Sequence, residues 1–281
     1  GDYGRTAAVR GLAPDDESWP APPEAEAFRL GIYALVRLKT YEPLAAAVLE
    51  GGRPVAPWWP IAYALGRAAD PRAEEALLGL LEAPGKYSAS FAARGLGTLK
   101  ARRAVPALAA LAGRAAAPAE VRVSAIRGLG AIGDAAAAAP LAKLLDDPRL
   151  DPNIRLELVT ALGALVGAEG LSAVQDLLSD GWPVMRAAAL RAAAAIDPER
   201  FVLVLASMDP DPDWSVRAAL VDVLATLPPE AALGRVKSML ADPDRRVEPS
   251  VLAALVRLKD PRAGARAAAR RKGPASGVRA P

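Results

Sequence analysis

The feature that most constrains the fold of this chain is an apolar pattern that recurs about every 31 residues. It is clearest between Pro118 and Pro148, where Gly133-Asp134 separates two apolar stripes of helical spacing. The first stripe consists of Val121, Ala125, Leu129 and Ile132, and the second of Ala138, Leu141, Leu144 and Leu145. Spacings of three and four residues place the members of a stripe on one face of an α-helix. The pattern therefore predicts a helix, a tight turn and a second helix.

Further copies of this unit align with it along the chain. We call the place of Leu129 the anchor position, and its equivalents are Leu35, Leu65, Leu96, Leu162, Ala193, Leu224 and Leu255, at intervals of 30 to 33 residues. Three residues further on, the copies are again apolar, at Leu38, Ala68, Leu99, Ile132, Leu165, Ile196, Leu227 and Leu258. A hairpin with an apolar stripe on each helix can bury both stripes only when another hairpin packs on either side of it. The sequence thus predicts an all-α fold, a right-handed α-solenoid of about eight helical hairpins.

Glycine follows the anchor position in four consecutive copies. These residues are Gly66, Gly97, Gly130 and Gly163. A glycine inside a helix costs about 1 kcal/mol relative to alanine. A column of them is therefore typical of helices that approach one another closely.

Composition and charge divide the chain into three segments. Residues 1–23 form an N-terminal segment that ends in a proline-rich, acidic connector, residues 24–272 hold the hairpins, and residues 273–281 are expected to be a flexible tail. Residues 1–27 carry six acids and two bases, whereas residues 252–281 carry eight bases and one acid. Because the sequence begins with Gly1, we expect it to be a piece of a longer protein, and its compartment stays unassigned. No apolar run approaches the roughly 20 residues needed to span a bilayer.

The absence of two residue types narrows the chemistry. The chain contains neither cysteine nor histidine, so thiolate chemistry, the commonest metal ligand and the commonest general base are missing. The run from Gly128 to Gly133 matches G-x-G-x-x-G, but a dinucleotide-binding motif follows a strand and opens a helix, whereas this run closes a helix. We expect no catalytic site, no metal site and no cofactor.

A column of arginines leaves two interpretations open. Arg122, Arg155, Arg186 and Arg217 recur at 33, 31 and 31 residues, near the start of successive first helices. Stacked in this way, they would be able to follow a phosphate backbone or an acidic peptide. Because each lies beside the apolar stripe, we prefer a structural role, with the stem packed and the head bonded to a junction aspartate or a carbonyl group. The aspartates at the junctions are expected to cap helices.

Four tryptophans are candidates for contact with a partner. They are Trp58, Trp59, Trp182 and Trp214, and each stands near the start of a first helix. Aromatic residues near a rim are common binding anchors. The alternative, which we slightly prefer, is that they fill gaps between alanine-rich helices.

Short motifs at the helix starts resemble those of a known family. The segments Glu120-Val121-Arg122 and Ser215-Val216-Arg217 open first helices, and Ala104-Val105-Pro106-Ala107-Leu108 opens a second one. They resemble bacterial HEAT-like repeats of the short kind, over roughly residues 24–272. In addition, Phe28–Leu38 and Trp58–Leu65 resemble parts of HEAT regions joined to cyclophilin-type prolyl isomerases in some soil bacteria. That second resemblance implies at most that such a domain belongs to the parent chain.

The second helices are expected to form the concave surface of such a stack. The positions that follow their core leucines are mostly small and uncharged, and Lys143, Gln175 and Lys237 are the polar candidates for partner contact. Such a groove suits a protein or peptide better than nucleic acid, which needs a basic track. The sequence predicts a monomeric, non-catalytic scaffold for protein or peptide ligands. The alternatives are a substrate-recruiting domain of a larger enzyme, such as a prolyl isomerase, and a weak nucleic-acid binder that uses Arg257–Lys272.

Overall fold

The computed structural model of this chain describes residues 12–15, 22–165 and 170–260. It confirms the all-α solenoid fold, and the chain divides into two compact units, Gly1–Gly170 and Leu171–Pro281. The helices of the first unit are α1 (Pro23–Arg37), α2 (Tyr41–Val48), α3 (Trp59–Ala68), α4 (Glu74–Leu81), α5 (Lys86–Thr98), α6 (Val105–Gly113), α7 (Ala119–Ile132), α8 (Ala138–Leu145) and α9 (Pro152–Ala164). Those of the second unit are α10 (Leu171–Asp176), α11 (Pro183–Ile196), α12 (Pro198–Ala206), α13 (Trp214–Leu224), α14 (Pro229–Ser238) and α15 (Glu248–Arg257).

Successive first helices pack on one another within each unit. In the first unit, α3 packs on α5, α5 on α7 and α7 on α9, and in the second unit α11 packs on α13 and α13 on α15. Second helices pack on the first helix of the following hairpin, as α4 does on α5 and α6 on α7, and α4 also contacts α3 of its own hairpin. This is the arrangement that a hairpin with two apolar stripes requires, because each hairpin covers the next.

The anchor column forms the centre of the core. Seven anchor side chains are buried, with at most 2% of their surface exposed: Leu65, Leu96, Leu129, Leu162, Ala193, Leu224 and Leu255. The first hairpin departs from the prediction, since Leu35 is half-buried and Leu38 is 69% exposed. There Ile32, 1% exposed, takes the central place. Within the described residues α1 has a hairpin on one flank only, so its buried face is rotated toward that neighbour.

Glycine permits the close packing of the first helices. A Cβ atom built on Gly97 would lie 3.0 Å from the Cα of Gly128, and one on Gly66 would lie 2.9 Å from the Cα of Gly95. The predicted column after the anchor therefore meets a second small-residue column, one position before the anchor of the next hairpin. The third pair continues the arrangement, because a Cβ atom built on Gly130 would lie 3.2 Å from the Cα of Ala161.

One departure from the predicted helices lies between α2 and α3. Strands β1 (Leu49–Glu50) and β2 (Arg53–Pro54) form a two-residue antiparallel hairpin, with Leu49 opposite Pro54. The turn residues Gly51 and Gly52 have φ angles of 58° and 80°. Such values at both turn positions favour Gly-Gly, which is a sequence signal for tight hairpins.

The described part of the predicted connector contacts the first unit. The Pro14 carbonyl oxygen accepts a hydrogen bond from the backbone N–H of Trp59 at 3.0 Å. The Asp15 carboxylate accepts from the N–H groups of Lys86 and Tyr87 at 2.6 and 2.8 Å. Asp15 therefore caps α5 from outside its own hairpin, where the residue before the helix is Gly85. The predicted second helix of the last hairpin and the predicted tail lie outside the described residues.

Candidate partner-binding surface

The exposed positions of the second helices carry small side chains in both units. In the first unit these positions include Ala46, Gly79 and Ala110, and in the second unit Ala206 and Ser207. Each second helix buries its apolar stripe, and these small residues lie on the opposite face, which is exposed to solvent. Exposed acids such as Glu42, Glu75 and Glu230 stand in the first turns of these helices, and the small side chains follow them.

The three polar candidates on the second helices have different surroundings. Lys143 is exposed on α8 and Gln175 is half-buried on α10. The ammonium group of Lys237 forms an ion pair with Asp260 at 2.9 Å, and the Asp260 side chain is 1% exposed. Lys237 therefore stabilises a buried carboxylate as well as reaching the surface.

Trp58 and Trp59 belong to the packing of the first unit. Trp58 is 4% exposed, which corrects its prediction as an accessible anchor, because its ring fills the space beside Phe28 at a centroid distance of 6.5 Å. Trp59 is half-buried and stacks on Phe91 at 5.5 Å. Tyr63 meets Phe91 edge-on at 5.4 Å. Aromatic side chains thus close the gap between α3 and its neighbours.

The two tryptophans of the second unit lie at helix starts. Trp182 precedes α11 and is 37% exposed, so it is available to a partner. Trp214 is the first residue of α13 and is half-buried, with the Arg246 guanidinium 4.3 Å from its ring centroid. That cation–π contact covers one face of the Trp214 indole.

The arginine column is structural in both units, although its partners differ. In the first unit, Arg122 Nε donates to the Ala112 carbonyl oxygen at 2.8 Å, and Arg155 Nη2 donates to the Leu145 carbonyl oxygen at 3.4 Å. These acceptors lie at the ends of the preceding second helices, where carbonyl groups lack helical partners. The predicted bonding to carbonyl groups is confirmed for this unit.

In the second unit, the arginines bind junction aspartates of the next hairpin. Arg186 donates to both carboxylate oxygens of Asp211 at 2.7 and 2.8 Å, and Arg217 donates to those of Asp242 at 2.8 and 2.9 Å. The remaining Nη1 groups donate to the carbonyl oxygens of Asp180 and Asp211. Each guanidinium thus links two successive junctions. These two-point bonds are among the stronger polar contacts in proteins.

The ion pairs lower the pKa values of the junction carboxylates. Hydrogen bonds from Arg217 hold the pKa of Asp242 below its ordinary value, although burial opposes this effect. Burial alone would raise the pKa of Asp211, but the hydrogen bonds from Arg186 and from the Asp213 N–H together bring it below the ordinary value. Arg246 lowers the pKa of Asp244 to about 2. All three carboxylates are therefore charged at neutral pH.

A groove of about 530 Å³ opens beside these ion pairs, within the second unit. Its floor consists of buried apolar side chains from first and second helices: Leu190, Leu205, Val216 and Leu220. Met208 and Met239 are half-buried on its walls, and Asp209, Arg235 and Ser238 stand at its edge. This volume lies within the roughly 300–1,000 Å³ typical of ligand sites. The groove can hold apolar side chains of a partner.

The groove residues were not predicted from the sequence, although the spacing of two methionines indicates them. Met208 and Met239 are 31 residues apart, at the same position of successive hairpins, and the chain contains only three methionines. Flexible, polarisable methionines are common on surfaces that accept varied apolar partners. Arg235 carried no such signal, because the equivalent position of the preceding hairpin is Val204.

The described residues contain no group of three or more acidic side chains placed to hold a metal ion. In the part of the chain that the structure covers, no helix combines the length and the apolar character that a membrane span requires.

Comparisons with known proteins give a family match and several similar solved structures. A solved complex of CpcE and CpcF of phycocyanin lyase from Nostoc sp. PCC7120 is similar at 22% identity, over 71% of this chain and 88% of that chain, with a TM-score of 0.45. A designed armadillo repeat protein is similar at 18% identity, over 65% of this chain and 98% of that chain, with a TM-score of 0.37. No curated protein gives a significant sequence match. The family model of HEAT repeats matches residues 74–151, 113–194 and 202–281, which is more than half of the sequence, and the chain therefore belongs to the HEAT repeat family.

Proposed function

We propose that this chain is a non-catalytic scaffold that binds protein or peptide segments on the surface of its second helices. The observation that carries the proposal is the apolar groove of the second unit, beside exposed second-helix positions that hold small side chains beyond the first turns. Burial of apolar surface drives association with such a surface. Recognition by a helix or an extended peptide needs no bond chemistry from the scaffold.

The state of the charged groups supports a non-catalytic role. The carboxylates of Asp70, Asp211 and Asp242 have lowered pKa values, because each accepts hydrogen bonds from an arginine. A general acid that works near neutral pH needs a raised pKa. These carboxylates instead accept hydrogen bonds that hold helices and junctions together.

The hydrogen bonds of the arginine column argue against its binding to a nucleic-acid backbone. Arg122, Arg186 and Arg217 donate to carbonyl or carboxylate groups of the fold itself. A nucleic-acid interface needs Lys and Arg heads that are free to neutralise phosphates. The remaining cluster of bases lies at the C-terminal end of the sequence.

Paired titrations test the proposed class of partner. We expect peptides selected from a display library to bind the full chain with little change between low and high salt. Affinity for a 20-base-pair DNA duplex should be weak and should fall by about 0.9 log units per tenfold increase in salt for each phosphate contacted.

The matched variant replaces the basic cluster by glutamine at Arg257, Lys259, Arg262, Arg266, Arg270, Arg271 and Lys272. It should abolish DNA binding and leave peptide binding unchanged. Tight DNA binding that persists in this variant would contradict the scaffold proposal.

A further inference from the structure

Two charged side chains at the edge of the apolar groove of the second unit have no ion-pair partner in the described residues, and Arg235 is the half-buried one. Arg186 and Arg217 line the groove, but Asp211 and Asp242 neutralise them through two-point hydrogen bonds. Arg235 also lines the groove, and its guanidinium has no ion-pair partner in the described part of the chain. Arg235 is half-buried, so part of its hydration is already lost. A carboxylate brought beside it would therefore gain a charge-assisted hydrogen bond.

The other charge at the edge has a different setting. Asp209 is exposed at a junction between hairpins. Exposed ion pairs contribute little to affinity because water and salt screen them. The electrostatic preference of the groove is therefore set by Arg235, and it favours an acidic group.

The apolar part of the groove lies about one helical turn from Arg235. Met239 follows Arg235 by four residues, at the end of α14, and Met208 occupies the equivalent position of the preceding hairpin. Side chains three or four residues apart are neighbours on one face of a helix. A partner helix that carries an apolar side chain and an acidic one at the same spacing would match both features.

We propose that the groove between Met208, Met239 and Arg235 binds an amphipathic helical segment of a partner protein, which inserts a large apolar side chain between the methionines and places an aspartate or glutamate, one turn away, on the Arg235 guanidinium. This inference rests on the proposed scaffold function and gives it a specific site and partner chemistry. The helix-in-groove mode supplies affinity through the apolar anchor and orientation through the charge.

The chain's own basic segment is a poor occupant of this groove. Residues 261–281 contain six bases and no acidic side chain. Such a segment has no aspartate or glutamate to offer Arg235, and like charges at an interface oppose association. Charge complementarity thus points to an acidic partner.

The experiment selects 16-residue peptides from a display library against the full chain and measures their affinity for point variants by fluorescence polarisation. We expect the selected peptides to share a Leu, Met or Phe and an Asp or Glu three or four positions apart. Arg235→Glu should weaken binding at least about tenfold, because it replaces attraction by repulsion. A peptide with lysine in place of its acidic residue should recover affinity for that variant. Met239→Gln, which keeps the side-chain length and adds polar atoms, should also weaken binding.

Arg191→Glu is the matched control. Arg191 is exposed on α11, outside the groove, so this variant changes the net charge by the same amount and should leave affinity unchanged. The melting temperature of each variant checks that it is folded, and the lysine peptide gives a gain of binding that an unfolded variant would not show.

Two failures are distinguishable. Peptides that bind the wild-type chain, Arg235→Glu and Met239→Gln equally well would overturn the groove assignment and leave the scaffold function standing. A library that yields no binder to the full chain would overturn both.

Discussion

At the scale of single residues, the junctions of the second unit depend on a few charged side chains. Arg217 and Asp242 are 10% and 7% exposed, and they link the start of one hairpin to the junction before the next. Asp242 also accepts the backbone N–H of Asp244 at 2.8 Å, which shapes the junction before the next hairpin. A substitution at Asp242 therefore disturbs a charge pair and a turn together.

Asp242→Asn should destabilise the second unit by about 2 kcal/mol, because the buried Arg217 loses a charged acceptor. The wild-type chain should also lose stability in acid. The folded pKa of Asp242 lies below its unfolded value of about 4, so its contribution is present above that pH and is lost as the pH falls through the folded pKa. Thermal unfolding measured from pH 7 to pH 2 should show this loss in the wild type and a smaller one in Asp242→Asn.

Asp209→Asn is the matched control for this prediction. Asp209 precedes a junction proline, as Asp242 does, but it is exposed and makes no ion pair in the described structure. Its replacement should change stability by less than about 0.5 kcal/mol. Equal effects of the two asparagine substitutions would contradict the assigned role of the Arg217–Asp242 pair.

At the scale of elements, the spacing of neighbouring first helices depends on paired small residues. Gly97 on α5 faces Gly128 on α7, and a Cβ on Gly97 would also meet the Cβ of Ala131 at 3.2 Å. Backbone atoms cannot move aside as a flexible side chain does. Gly97→Ala should therefore cost about 1–3 kcal/mol through overpacking, even though alanine is the better helix former.

Gly79→Ala should have the opposite effect. Gly79 lies within α4, and no atom lies within 4 Å of a Cβ built on it. This variant should gain about 0.5–1 kcal/mol, because alanine loses less backbone freedom on folding. Chemical denaturation measures the free energy of unfolding of both variants. If both were more stable than the wild type, helix propensity would outweigh helix spacing.

The repeat pattern of the sequence predicts some of these elements and not others. The anchor leucines and the glycine column could be predicted because each repeats with a fixed period, and the turn at Gly133-Asp134 because it interrupts the apolar pattern locally. Burial in the first hairpin could not be predicted in the same way, since Leu38 occupies a core column in the sequence but has no cover in the described structure. A terminal copy keeps the pattern of its neighbours without sharing their surroundings.

The candidate surface was less predictable than the fold. The small-residue face of the second helices follows directly from the pattern, but the groove depends on contacts between hairpins. The hydrogen-bond acceptors of the arginine column show what the repeat pattern does not predict. Arg122 bonds a carbonyl group and Arg217 bonds a carboxylate, although both occupy the same repeat position. An aspartate stands 25 residues after each of them, Asp147 after Arg122 and Asp242 after Arg217, so the repeat spacing does not decide which acceptor the guanidinium takes.

At the scale of the whole molecule, a stack of hairpins couples mainly neighbour to neighbour. Leu129 is 0% exposed, and its helix, α7, packs on α5, α6 and α9. Removing most of this side chain leaves a cavity that several hairpins line. Leu129→Ala should therefore cost about 2–5 kcal/mol, as for other buried leucines.

The distribution of that loss along the chain is the more informative measurement. If each hairpin depends on its neighbours, hydrogen exchange in Leu129→Ala should accelerate first within residues 86–165, and much less within residues 171–260. Leu203→Ala is the control, because Leu203 is 73% exposed and its truncation leaves no cavity. Uniform acceleration across both units would instead mean that the chain unfolds as one cooperative body, and the description by neighbouring hairpins would then have to be abandoned.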